Sequence, residues 1–358
     1  MNKSVNKSAN PKLMKTRRKS IRFNSGYTLV ELLIAMAIGL FILAGAFQVT
    51  HTNKKSNRLQ KNLLQTQNNG RFSINNLSYA IKTAGYSGFY GKFSTSVENL
   101  INLPGTDKWD ISKPVSGHNN VASTATIAGI TGFKPNTDVI LLKGMKSNVL
   151  PLISNDDSST IEIDDNNDFV AGDVVIVTDV DQASMFQISN IANSSGRSAL
   201  TLNTAGTTPG NSTLLDNSFG TDAQISKYNP QLYYIKNGRD GEAALFVGSL
   251  STVSGVAQLQ ENELVSNISN MQVNFGIDSD DDQIINEYKD ASTITDWSEV
   301  ISINVALLSS SHEDNVVPNK NSYSYDTNLA TFIKDTTPAT NADKRLKRVY
   351  KMHIPLRN

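Results

Sequence analysis

From Leu32 to Val49 the chain is almost purely apolar and carries no charge, with apolar residues on every side of a helix built from that sequence. A run of this length suits a helix that crosses a membrane or packs among identical helices. From about Thr52 the pattern changes. Lys54, Lys55, Arg58 and Lys61 alternate with Leu59, Leu63, Leu64, Ile74, Leu77 and Ile81, a single apolar stripe at helical spacing that is expected to pack on the rest of the protein. Continuous from Tyr27 to Ala84, such a helix would measure about 87 Å at 1.5 Å per residue. Asn68-Asn69-Gly70 lacks helix formers and marks the place where a kink or break is expected.

Beyond the helix the periodicity shortens. Val139 to Lys143, Ile161 to Ile163, Val174 to Thr178, Leu232 to Ile235, Leu245 to Val247, Met271 to Phe275 and Ile301 to Leu308 are short runs of Val, Ile and aromatic residues separated by turn formers, which predicts strands. Asn237-Gly238 and Asp240-Gly241 around Arg239 predict a hairpin turn between two of them. Ser189 to Thr221, dense in Ser, Asn, Thr and Gly, is expected to form an exposed excursion. Gly85-Tyr86-Ser87-Gly88-Phe89-Tyr90-Gly91 has two readings. The aromatics form a binding platform, or the glycines release the chain from the helix while the aromatics cover the core, and the second is preferred.

Charge is split along the chain. Met1 to Gly26 holds Lys3, Lys7, Lys12, Lys15, Arg17, Arg18, Lys19 and Arg22 and no acid, so the leader carries 8 of the 33 basic residues. The remainder has a formal charge of −8, hidden by the zero balance of the whole. Basic residues flanking an apolar segment hold that flank in the cytoplasm, so the chain is expected to enter the membrane with Met1 inside. An acidic body excludes nucleic acid as a partner, because phosphates require a basic surface.

Glu31 stands at the head of the apolar run, where a charge costs roughly 2.5 to 3.5 kcal/mol at the centre of a membrane helix and less near its end. Three readings of the N-terminus compete. A cleaved secretory signal would be cut near Ala44-Gly45-Ala46, an uncleaved anchor would keep Met1, and a third route removes only the leader, between Gly26 and Tyr27. The third makes chemical sense of the acid. Cutting before Tyr27 frees an α-amino group four residues from Glu31, one helical turn away on the same face, and a buried amine and carboxylate tolerate together what neither tolerates alone.

Gly26-Tyr27-Thr28-Leu29-Val30-Glu31-Leu32-Leu33-Ile34-Ala35-Met36 closely resembles the prepilin signal of type IV pilins and type II secretion pseudopilins. Tyr27 stands where phenylalanine is more usual. The resemblance implies that a prepilin peptidase cleaves after Gly26 and methylates the new terminus at Tyr27, and that Glu31 pairs with the N-terminal amine of an adjacent subunit during assembly. Further on, Gln67-Asn68-Asn69-Gly70-Arg71-Phe72-Ser73, Lys82-Thr83-Ala84-Gly85-Tyr86-Ser87-Gly88, Val273 to Asp278, Trp297 to Leu308 and Arg345 to Asn358 are similar to PilW-type minor pilins. The middle, from about Phe93 to Ser226, is similar only loosely, through Gly172-Asp173-Val174-Val175 and Met185-Phe186-Gln187. Phe89 departs from the subgroup, which commonly has cysteine there. The chain has no cysteine, so an exported body must stand on its own core.

Asp278-Ser279-Asp280-Asp281-Asp282-Gln283-Ile284-Ile285-Asn286-Glu287 sets carboxylates at every second residue, a spacing that lets a looping backbone aim oxygens at one hard cation. Asp278, Asp280, Asp282 and Asn286 are the candidate calcium ligands. Gln283 replaces the glycine that the sharp turn favours and Lys289 replaces the closing glutamate of an EF-hand loop, so an Asp-rich hairpin tip is the alternative. His51, His118, His312 and His353 are scattered without metal-ligand spacing, no glycine loop cradles phosphate, and no serine sits in a nucleophile elbow. An enzyme is not expected, and no cofactor is required.

The expected architecture is α+β and type IV pilin-like: a basic leader (1–26), a hydrophobic anchor (27–50), an amphipathic half-helix (51–84) and a mainly antiparallel β head (85–358). The resemblance implies a minor pilin held in the inner membrane before assembly, then located in the pilus at the cell surface. Its implied partners are the prepilin peptidase, other minor and major pilins, and membrane lipid. Two other readings stay open, a type II secretion pseudopilin and a membrane-tethered surface-binding module.

Overall fold

A computed structural model of the chain describes residues 27–88, 97–102, 106–204 and 208–356. The leader with Gly26, the aromatic residues Phe89 and Tyr90, and the terminal Arg357-Asn358 lie outside them. Two compact units are present, Met1–Ser56 and Asn57–Asn358. One helix, Leu29–Thr83, runs unbroken through both segments of sequence.

In the first unit the helix presents its apolar side chains outward. Leu29, Leu33, Met36, Phe41, Ile42 and Phe47 are all exposed. It is the one helix among the described residues long and apolar enough to cross a membrane.

In the second unit the helix lies on β-sheet, giving an α+β fold with mainly antiparallel strands. A five-stranded sheet has the order 256–266, 243–253, 231–237, 139–142, 115–118, and a four-stranded sheet has the order 287–289, 268–277, 300–310, 347–355, with every pair antiparallel. Ile74, Leu77 and Ile81 of the helix share one core with Ile140, Tyr233 and Leu245 of the first sheet and Met271, Phe275 and Leu307 of the second. A buried Leu or Ile of this kind contributes about 1.5–3 kcal/mol, so this face holds the helix in place.

An eight-stranded sheet, with only the pairing of Glu98–Asn99 to Ala183–Gln187 parallel, has its own core around Leu152, Ile161, Phe186, Leu200 and Phe219. Part of the region 189–221 belongs to it. Asn190–Ser194 and Arg197–Thr201 pair as a hairpin, and Leu200, Leu202, Asn211, Leu215 and Phe219 are buried. The expected excursion is therefore exposed over 192–197 and 212–214, but it is tied into the sheet by its hairpin and its buried residues. Its polar composition misleads because Asn211 closes on backbone, accepting from Gln187 N–H at 2.7 Å and donating to Gln187 O at 2.8 Å. A buried amide satisfied in this way behaves as a core residue.

All seven expected strands form, and the turn after Asn237 is a hairpin closed by Gly238 N–H on Glu242 O at 2.7 Å. The buried face of the helix differs from the expected stripe. Ile74, Leu77 and Ile81 face the sheets, but Leu64 is exposed and the inward positions before them are Asn62, Thr66, Gly70 and Ser73. Close approach explains the substitution of small and polar residues for leucine. Ser309 Oγ and Tyr350 Oη reach the Thr66 carbonyl at 3.2 and 3.3 Å, and the Tyr350 ring covers Gly70. The hydroxyls of Thr66 and Ser73 donate back to carbonyls four residues earlier, so their burial leaves no unpaired group.

Candidate assembly site at the start of the helix

Thr28 and Glu31 open the helix as a reciprocal pair. The Thr28 backbone N–H donates to Glu31 Oε2 at 2.9 Å, the Thr28 hydroxyl donates to the same oxygen at 3.1 Å, and the Glu31 N–H donates to Thr28 Oγ1 at 3.2 Å. This is a capping box, in which an N-cap threonine and a glutamate three residues on satisfy each other's backbone donors at the helix start. An acid in the first turn also faces the positive end of the helix dipole. The T-x-x-E spacing is the sequence signal of this cap, and it adds Thr28 to the expected site residues Tyr27 and Glu31. Glu31 Oε1 has no hydrogen bond among the described residues, so the cap leaves one carboxylate oxygen free. Tyr27, directly before Thr28, is exposed. Gly26, the other half of the expected cleavage site, lies outside the described residues.

At the far end the helix stops at Thr83, and Gly85 takes a φ of +79°, the left-handed conformation that glycine adopts at least cost. Gly85 N–H is then captured by Lys143 O at 2.8 Å. Tyr86 does not enter the core. It is 37% exposed and lines a groove of about 850 Å³ with Tyr79, Lys82 and Lys146. Glycine release from the helix is therefore present, while the one described aromatic of that segment faces outward.

The acidic loop lies between strands Ile268–Ile277 and Glu287–Lys289, the position of a hairpin tip. Asp278, Asp280 and Asp282 offer carboxylate oxygens within 4.8 Å of one another. Asp278 is buried, and its two oxygens accept backbone N–H from Asp282 at 3.2 Å and Gln283 at 2.8 Å. Burial alone would push its carboxyl up; those N–H groups and Asp280 outweigh it, and the net shift is downward. Asn286 Oδ1 is turned to the Ser279 N–H at 2.7 Å, so its amide closes the loop. Gln283 carries the positive φ, +66°, that a glycine would have favoured.

The histidines hold separate posts: His118 meets Asp107 at 2.9 Å, His312 meets Asp240 at 3.5 Å, His353 meets Asn304 at 3.0 Å, and His51 is exposed on the helix.

Two family models match the chain. Residues 21–47 match the prokaryotic N-terminal methylation motif, and residues 232–358 match Type IV Pilus-assembly protein W. No curated protein and no solved structure matches it. The first match spans the capping box and the apolar helix. The second spans all of the four-stranded sheet and three strands of the five-stranded one, the surface on which the helix rests. Both describe structural parts of a pilus and neither an enzyme family. The two matches support a PilW-type, prepilin-like protein related to the type IV pilus.

Proposed function

We propose that this chain is a minor pilin of a type IV pilus, an assembly subunit that joins the fibre through its helix and other minor pilins through its head. A prepilin peptidase removes the leader between Gly26 and Tyr27 and methylates the new terminus. Before assembly the apolar helix holds the subunit in the inner membrane, with the basic leader on the cytoplasmic side. A small set of such subunits then starts the fibre.

One observation carries this reading. Glu31 is the only charged side chain between Tyr27 and Asn53, and the Thr28 cap engages only its Oε2. The free Oε1 supports a pairing with an N-terminal amine, from the same chain or a neighbour, that offsets the cost of an acid in lipid. The match to the pilus-assembly family supports a pilus over a secretion pseudopilus. The test is Glu31→Ala. Leader removal should proceed, with N-terminal sequencing starting at Tyr27, while recovery of the subunit from sheared fibres falls sharply. Normal recovery would remove the pairing role, and a first residue other than Tyr27 would remove the processing step.

We also propose that the acidic loop takes calcium through Asp278, Asp280 and Asp282. The mutual reach of their oxygens supports this, and the engagement of Asn286 with Ser279 argues for leaving Asn286 out of the ligand set.

A further inference from the structure

The second half of the helix has an outward face as well as an inward one. Leu64, Arg71, Phe72, Tyr79 and Lys82 fall within about 100° of arc at 3.6 residues per turn and extend over about 27 Å. All are exposed, with Leu64 at 59%, Phe72 at 55% and Tyr79 at 70%. Large apolar residues gathered on one exposed face mark a contact surface, whereas single ones do not. From Leu32 to Thr83 the helix has six basic residues and no acidic one.

This face runs into the groove beside the helix end, which Tyr79 and Lys82 also line, together with Tyr86, Lys146, Tyr233 and Met145. No carboxylate lines it among the described residues. Arg71, Lys82 and Lys146 form no ion pair among the described residues. Tyrosine, arginine and a pocket open to a single side chain are the features of a binding hot spot.

We propose that this face and groove dock an acidic surface of a neighbouring pilin-class subunit, which seats an apolar side chain between Tyr79 and Tyr86 and sets carboxylates against Lys82 and Lys146. The proposal rests on the assembly reading above and names its contact. Charge selects the partner: three cations that form no ion pair among the described residues attract a negative surface and repel a positive one. A head on this chain's own plan has that sign, since Ala84 to Asn358 holds 19 basic and 32 acidic residues. Length selects a protein over a small saccharide. Leu64 and Phe72 offer only hydrocarbon, lie outside the groove, and gain nothing from a sugar held within it.

The test places a photo-crosslinking benzoylphenylalanine at Tyr79 in the full chain, expressed in its own host cell. The expected adduct joins a peptide of a pilin-class protein that carries an N-terminal methylation signal, a second copy of this chain included, with Asp or Glu beside the joined residue. Its yield should fall about tenfold in Lys82→Glu/Lys146→Glu and return when those partner acids become Lys. Phe72→Ala, a surface change, should lower the yield without lowering the amount of chain. An adduct with lipid, with polysaccharide or with a protein lacking such a signal overturns the proposal, as does absence of any protein adduct. Recovery from sheared fibres is scored separately on the same cells, so loss of incorporation counts against the assembly reading and the adduct alone decides the docking surface.

Discussion

A Cβ added at Gly70 would lie 2.0 Å from Cε2 of Tyr350, so the helix admits the Tyr350 ring of strand Lys347–Pro355 where any side chain would force that ring to move. Gly70 is helical on both sides, and the cost of glycine there, about 1 kcal/mol relative to alanine, is accepted for the contact. Gly70→Ala should therefore destabilise the protein by about 1–2 kcal/mol net, overpacking outweighing the gain in helix propensity. Combined with Tyr350→Ala, the same change should become neutral or stabilising relative to Tyr350→Ala alone. Urea unfolding of the four variants in detergent measures the coupling.

Loss of the helix cap has a local signature. Thr28→Val removes the hydroxyl that both donates to Glu31 Oε2 and accepts the Glu31 N–H. A lost cap costs about 1 kcal/mol, so amide exchange in the first turn, Leu29 to Leu32, should speed up about fivefold. Exchange from Ile74 to Ile81 should not change, because packing on the sheets governs it.

Asp138 gives the fold a dependence on pH. Its carboxylate is buried and accepts N–H from Asn120 at 2.9 Å and from Val273 at 2.8 Å. Burial pushes its carboxyl up to about 6, against the pull of those two N–H groups. The folded protein thus binds this proton more tightly than the unfolded chain. The contribution of Asp138 to stability is full below the unfolded value of 3.8 and is lost as pH rises through about 6. Other carboxyls shifted downward, such as Asp107 and Asp110, act in the opposite direction. The informative quantity is the difference between wild type and Asp138→Asn, which should move in favour of the variant by on the order of 2 kcal/mol between pH 4 and pH 7.

Calcium binding to the acidic loop should raise thermal stability. For a site of about 1 mM affinity, 10 mM calcium adds about 1.4 kcal/mol, readable as a shift of the unfolding transition of the whole chain. Asp282→Asn should abolish the shift, and Asn286→Ala should preserve it. No shift with calcium would leave the loop as a hairpin tip.

The anchor, the lone acid beside the expected new terminus and the existence of the strands were all legible from the order of residues, because each depends on neighbours within one turn or one strand. An uncharged run of apolar residues needs no tertiary contact to be recognised, and the spacing of Glu31 from Tyr27 is a property of any helix. Tertiary structure decided what such short-range patterns cannot carry. Asn68-Asn69-Gly70 looks like a break, but Asn69 Nδ2 donates to Ser266 O at 3.0 Å and Gly70 admits the Tyr350 ring, partners about 200 and 280 positions away in sequence. Leu64 looks like a core residue and faces outward, because the strands approach the helix along the side where Thr66 and Gly70 leave room. The polar stretch 189–221 looks like an exposed loop, yet it contributes a paired hairpin and buries Leu200, Leu202, Asn211, Leu215 and Phe219, with Gln187 and Asn211 satisfying each other. In all three cases the packing of strands against the helix, or of residues within the sheet, outweighed the local preference.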